Sequence, residues 1–182
     1  METKRLVLRP FRKEDAQALY MLAKDEDVGV NAGWPSHKSI EESEKIIETI
    51  FSNSNQYALI LKETNELIGA IGLNPDLKRT NPRIKSLGYW IGQKFWENGY
   101  ATEASKRILI YAFEEMNLDG ISVVHYNTNE KSKKVILKLG FVYEGTFRYA
   151  TRRYDGVVLD DVEYLMDRTL YEKVNNNLRR EL

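Results

Sequence analysis

The chain contains no cysteine among its 182 residues. Disulfides, thiolate nucleophiles and cysteine-ligated zinc are therefore excluded. Its two histidines, His37 and His125, are too few for a three-histidine metal site, and no metal is expected. An excess of charge is missing as well: 27 basic residues face 27 acidic ones. That balance argues against a nucleic-acid partner, whose binding rests on neutralising many phosphates. No apolar run approaches the ~20 residues of a membrane span. The opening METKRLVLRPF carries Glu2, Lys4, Arg5 and Arg9 and lacks the apolar stretch of a signal peptide. A cytoplasmic location with no membrane partner is the expectation. The dinucleotide pattern G-x-G-x-x-G and the Walker Gly-Lys-Ser/Thr triplet are also absent.

What is present describes one globular domain, with 42% apolar and 30% charged residues. Leu6 to Pro10 reads as a short strand. Glu14 to Lys24 reads as a helix with Ala16, Leu19, Leu22 and Ala23 on one face. Asp25 to Lys38 is expected to be irregular. A second helix starts at Ser39, with a capping box to Glu42 and a buried stripe of Ile46, Ile47, Ile50 and Phe51. Tyr57–Leu61 and Leu67–Leu73 form a hairpin, and Asn74 to Arg83 a loop. A strand at Ser86–Gly92 precedes a helix at Ala101–Met116, whose inner face is Ala104, Ile108, Tyr111, Ala112 and Met116. A strand at Ile121–Tyr126 leads to a helix at Glu130–Leu139, which Gly140 ends. Val142–Arg153 and Val157–Asp167 pair antiparallel. The fold class is α/β, with a twisted mixed sheet flanked by helices. One domain over residues 1–168 is expected, and 169–182 reads as a polar tail that frays.

The stretch from Leu87 to Met116 carries the chemistry. An apolar strand feeds a short loop around Gly99, and an amphipathic helix follows. First-turn N–H groups have no partner inside a helix, and the helix dipole favours negative charge there, so this arrangement suits a phosphate. A plain turn glycine is the alternative reading of Gly99.

Four motifs in order identify the chain as resembling the GNAT superfamily of acetyl-CoA-dependent N-acetyltransferases. They are Thr3 to Pro10 (T-x-R-L-x-L-R-P), Gly88 to Ile91 (G-Y-W-I), Trp96 to Ala104 (W-x-x-G-Y-A-T-E-A), and Asn129 with Ser132 followed by Lys138 to Phe141. The nearest resemblance is to the ribosomal-protein N-terminal alanine acetyltransferases. It covers Thr3 to about Arg168 and implies a single-domain GNAT-like fold.

The resemblance also implies site residues. The family's phosphate loop, Q/R-x-x-G-x-G/A, falls on Trp96 to Ala101, with Trp96 departing from Gln or Arg. Backbone N–H groups from about Asn98 to Thr102, through Gly99, Tyr100 and Ala101, would hold the coenzyme A pyrophosphate. Glu97 and Glu103 suit such a neighbour poorly, so their side chains are expected to point away. The strand before the loop would splay from the strand after the helix. Trp90, Ile91 and Gly92 would line the pantetheine arm there, with a backbone N–H polarising the thioester. Asn129 is either a pantetheine ligand, an N-cap, or both. Ser132 is either a proton donor to the leaving thiolate or an ordinary first-turn serine. Many relatives carry a tyrosine acid where this chain has Ile136. His125 as a base, and His37 with Trp34 on the acceptor side, are weaker candidates; Glu144, Asp161, Arg148, Arg152 and Arg153 read equally well as structural or solvated residues. The resulting expectation is acetyl transfer from acetyl-CoA to a primary amine, foremost the N-terminal α-amine of a peptide or protein. A small-molecule amine acceptor and a non-catalytic acyl-CoA-binding module are the alternatives. Monomer and homodimer stay open.

Overall fold

The strands are β1 (Leu6–Arg9), β2 (Gln56–Leu61), β3 (Leu67–Pro75), β4 (Ile84–Ile91), β5 (Gly120–Tyr126), β6 (Val142–Arg152) and β7 (Val158–Asp167). In the computed structural model, which describes residues 1–52 and 55–179, they form one sheet in the order β1-β2-β3-β4-β5-β7-β6. β4 and β5 run parallel, with Ile84 opposite Gly120 and Leu87 opposite Val123. β1–β2, β2–β3, β5–β7 and β6–β7 are antiparallel, so the sheet is mixed as expected. The chain forms two compact units, Met1–Gly72 with Tyr89–Ala104, and Leu73–Gly88 with Ser105–Leu182.

The first unit carries three short helices, α1 (Ala16–Ala23), α2 (Glu26–Ala32) and α3 (Ile40–Ile46). The periodic face of α1 is buried as its sequence requires: Ala16, Leu19, Leu22 and Ala23 pack with Ala58 and Ile60 of β2 and with Ile47. Burying a Leu-sized side chain stabilises the unit by about 1.5–3 kcal/mol. Two expectations need correction here. The segment read as irregular contains α2, because Asp25 caps it by accepting from the Asp27 N–H, and Gly33 ends it. In the second helix, Ser39 caps as expected, accepting from the Glu42 N–H. Past Ile46, however, the helix widens over Ile47–Phe51. The wider turn shifts the register, leaving Ile50 54% exposed. Phe51 instead stacks on Phe11, with ring centroids 4.3 Å apart.

The second unit holds most of α4 (Tyr100–Ile110), α5 (Glu130–Leu139) and α6 (Arg168–Arg179). Along α4 and its continuation, Ala104, Ile108 and Ala112 are buried as expected, but Leu109 and Phe113 join them in place of Tyr111 and Met116. Leu109 belongs to the regular helix before it, whereas past Ile110 the turn widens over Tyr111–Glu115, the Met116 N–H reaches back to the Tyr111 carbonyl, and Phe113 turns inward. α5 ends at Gly140, whose φ of +88° suits glycine.

The polar tail does not fray over its described length; it forms α6. Its buried residues, Tyr171 and Leu178, lie seven positions apart on one helical face. Tyr171 stacks on Phe113 at 4.4 Å, worth about 0.5–1.5 kcal/mol beyond the area buried. Its hydroxyl donates to Glu114, which Arg179 also pairs. Burial and that carboxylate push the Tyr171 phenol well above its usual range. Residues 180–182 of the expected tail lie outside the described ones. No helix among the described residues is long and apolar enough to cross a membrane.

Candidate active site

Within the first unit, the polypeptide leaves β4 and makes a tight turn at Gln93–Phe95 before the loop. The Trp96 indole N–H donates to the Ile91 carbonyl at 2.6 Å, which ties the loop to the strand end. Glu97 and Gly99 both have left-handed backbone, with φ of +64° and +80°. A glutamate in that region is strained by about 1–3 kcal/mol and persists only where its surroundings hold it. Alternation into and out of left-handed backbone is the form that turns successive N–H groups toward an anion. The Asn98 side chain braces the turn by donating to the carbonyls of Phe95 and Trp96. α4 then starts at Tyr100, and its first return bond runs from the Glu103 N–H to the Gly99 carbonyl. The N–H groups of Tyr100, Ala101 and Thr102 thus lie in the turn that has no acceptor inside the helix.

Glu103 points away from this loop, as expected. It is 7% exposed. Its Oε1 accepts from the Thr3 hydroxyl (2.6 Å) and the Arg5 N–H (2.8 Å), and its Oε2 accepts from Arg5 Nε (2.6 Å). Burial pushes the Glu103 carboxyl up, but these donors outweigh it and hold the group below the usual carboxylate range. Glu97 is exposed.

β4 presents Trp90 half-buried and Ile91 buried. Gly69 of β3 lets Trp90 approach: a Cβ at Gly69 would meet the Trp90 carbonyl at 2.2 Å. The Gly92 N–H is committed, donating to Ile68 at 2.8 Å, which takes that amide out of the set available to a ligand. Trp90 meets Trp34 edge-on at 5.7 Å, and Trp34 lies 5.4 Å from the His37 ring. The structure thus brings Trp90, Trp34 and His37 together. His37 is 7% exposed, and its Nδ1 bonds Ser43 Oγ at 2.8 Å. Burial holds its pKa below the usual histidine value, so the ring is neutral near pH 7.

Within the second unit, Asn129 is the N-cap of α5, accepting from the Ser132 N–H at 3.0 Å. The capping reading of Asn129 therefore holds. Ser132 is half-buried in the first turn. Ile136 is fully buried, so no hydroxyl acid comes from the position where relatives carry tyrosine. His125, on β5, is 5% exposed. Its Nδ1 lies 2.7 Å from the Tyr126 carbonyl, which can only accept, so Nδ1–H is the donor. Its Nε2 is buried without a hydrogen-bond partner. Glu144 pairs with Arg79, Asp161 lies 3.8 Å from Lys78, and Arg153 pairs with Asp155 at 2.6 Å. Tyr126 is a group the sequence reading missed. Burial and then the Asp161 carboxylate push its phenol up, which makes it a neutral hydroxyl at physiological pH.

The comparisons with known proteins agree with this architecture. The family model of the acetyltransferase (GNAT) domain matches residues 5–142. The uncharacterized N-acetyltransferase YoaA of Bacillus subtilis is 31% identical over 153 residues, 81% of this chain and 85% of that protein. A GNAT-family acetyltransferase from Bacillus anthracis superposes with a TM-score of 0.81 at 24% identity, covering 92% of this chain and 97% of that one. A ribosomal-protein-S5-alanine acetyltransferase from Vibrio fischeri superposes with a TM-score of 0.75 at 19% identity, covering 92% and 95%. The seven-stranded mixed sheet, the loop opening α4 and these matches lead to one assignment: the chain belongs to the GNAT family and is an acetyl-CoA-dependent N-acetyltransferase.

Proposed function

We propose that the chain acetylates the N-terminal α-amine of a peptide or protein. The observation that carries this reading is the state of its two histidines. Both are buried, at 7% and 5% exposure, so neither presents an open imidazole to an incoming amine. An attacking amine must be neutral. An α-amine has a reference pKa of about 7.7–8.0 and lysine one of about 10.4, so an α-amine needs little help from a base near neutral pH. The Vibrio fischeri neighbour, named as a ribosomal-protein-S5-alanine acetyltransferase, supports the same acceptor class at the level of fold.

Acetyl-CoA enters as substrate. The left-handed turns at Glu97 and Gly99 and the first-turn N–H groups of α4 fit a phosphate diester. The Asn98–Thr102 stretch is assigned to the pyrophosphate, and Trp90 and Ile91 to the pantetheine arm. In the reaction the amine nitrogen bonds the acetyl carbon and the carbon–sulfur bond breaks. The nitrogen then loses one proton and the sulfur gains one. Ser132 is assigned as the donor to sulfur, and water removes the proton from the amine.

The test is a panel of acceptors followed by thiol release at pH 7. Short peptides with a free N-terminal Ala or Ser are expected to give kcat/KM at least about tenfold above Nα-acetyl-lysine and spermidine, whose amines are almost fully protonated there. Faster turnover of Nα-acetyl-lysine or spermidine replaces the α-amine reading with a small-amine one. No turnover with any amine, alongside acetyl-CoA binding, leaves an acyl-CoA-binding module.

A further inference from the structure

The residues of the loop, 96–102, include one acid, Glu97, and no lysine or arginine. A second acid, Glu103, sits in the first turn of α4, where a carboxylate would compete with an incoming anion for the dipole. One side chain addresses both problems, and it comes from the residue just before β1. Arg5 donates through Nε to Glu103 Oε2 and through Nη1 to the Asn98 carbonyl at 3.0 Å. Its guanidinium lies over the Tyr100 ring at 4.5 Å. Its Nη2 is 3.5 Å from where a Cβ of Gly99 would be. Arg5 thus contacts Asn98 and Tyr100 and lies beside Gly99 between them, while its charge faces Glu103.

We infer that Arg5 is a positioning residue for the phosphate loop, with Glu103 as its anchor. The pair holds residues 98–100 in the conformation that receives an anion, and it offsets the one carboxylate of the first turn. Thr3 completes the anchor, since its hydroxyl occupies the Glu103 oxygen that Arg5 Nε does not. Charge-assisted bonds of this kind lose most of their value when the fork is shortened to an ammonium, so lysine replaces Arg5 only in part. This inference rests on the phosphate-loop reading given above.

The test compares two acetyl donors, acetyl-CoA and S-acetyl-pantetheine, which has the thioester arm but no phosphate. Arg5→Ala is expected to raise the acetyl-CoA KM by at least about tenfold while kcat at saturation stays within about threefold. The KM for S-acetyl-pantetheine is expected to be unaffected, and Arg5→Lys to fall between wild type and Arg5→Ala. Adding Glu103→Gln to Arg5→Ala is expected to recover part of the lost affinity, because it removes the carboxylate left without its guanidinium partner. An equal loss with both donors, or a loss confined to kcat, marks Arg5 as a structural residue and overturns the inference, as does an unchanged acetyl-CoA KM. Should Arg5→Ala fail to fold, the same comparison with Arg5→Lys decides: a rise in KM specific to the phosphate-bearing donor supports the inference, and none overturns it. Gly99→Glu, run in parallel, separates the two readings. If it abolishes coenzyme A binding while Arg5→Ala changes nothing, the loop stands and the Arg5 role falls. If neither changes binding, the loop assignment falls first.

Discussion

Gly99→Glu is expected to weaken coenzyme A binding by at least about 100-fold, to the point where calorimetry detects none. Two physical effects add. The backbone at residue 99 has φ of +80°, which a residue with a side chain adopts at a cost of about 1–2 kcal/mol, so the loop shifts or strains. The new carboxylate also stands at the mouth of α4, where the ligand is itself anionic. At about 5 Å and an effective dielectric of about 20, each pair of like charges repels by roughly 3 kcal/mol, enough alone for a 100-fold loss. Space alone is not the obstacle, since a Cβ at Gly99 meets only the Arg5 guanidinium, at 3.5 Å. Gly99→Asn is the control. Asparagine tolerates left-handed backbone and adds no charge, so its loss is expected to stay within about tenfold. Unchanged affinity in Gly99→Glu removes the loop from the coenzyme A site.

Ser132→Ala is expected to lower kcat by about 10- to 100-fold, at or below the usual range for general acid catalysis, with little change in acetyl-CoA KM. The substitution is well suited to isolating chemistry from folding. Asn129 caps α5 through the backbone N–H of Ser132, which alanine keeps. A helix-start effect is therefore not expected, and thermal unfolding should report a native-like midpoint. Wild-type kcat would make Ser132 an ordinary helical residue and move attention to the Tyr126 hydroxyl. A loss confined to KM would make it a binding residue.

Strands and their order along the chain were legible because alternation and turn residues are local signals. Tyr57–Leu61 and Leu67–Leu73 lie inside the observed β2 and β3. What was not legible depends on partners remote in sequence or on subtle backbone choices. α6 looked polar because its buried stripe is only Tyr171 and Leu178, and the ring that receives Tyr171 belongs to Phe113. Ile50 was read inward because the period of an ordinary helix was carried past Ile46, where the turn widens. α2 hid behind its brevity and the glycine inside it, Gly29.

The site divides in the same way. Gly99 and the start of α4 follow from local pattern, and the Asn129 cap from residue type. The tie between Arg5 and Glu103 joins residues 98 positions apart, and only the folded chain reveals it. Both residues lay within motifs already recognised, Thr3–Pro10 and Trp96–Ala104, with nothing in the sequence to pair them. Trp90 to Gly92 read as one lining stretch, and the sequence does not reveal that the Gly92 N–H donates to the Ile68 carbonyl of β3.

The most direct measurement uses one peptide that offers both kinds of amine, a free N-terminal alanine and an internal lysine. It is incubated at pH 7 with acetyl-CoA and the enzyme, and tandem mass spectrometry locates the added acetyl group. Internal competition removes differences in peptide binding, so the product ratio reports the choice of nucleophile alone. Acetylation of the alanine α-amine in large excess over the lysine side chain is the predicted result. Acetyl found mainly on the lysine Nζ would contradict the assignment of an N-terminal acceptor.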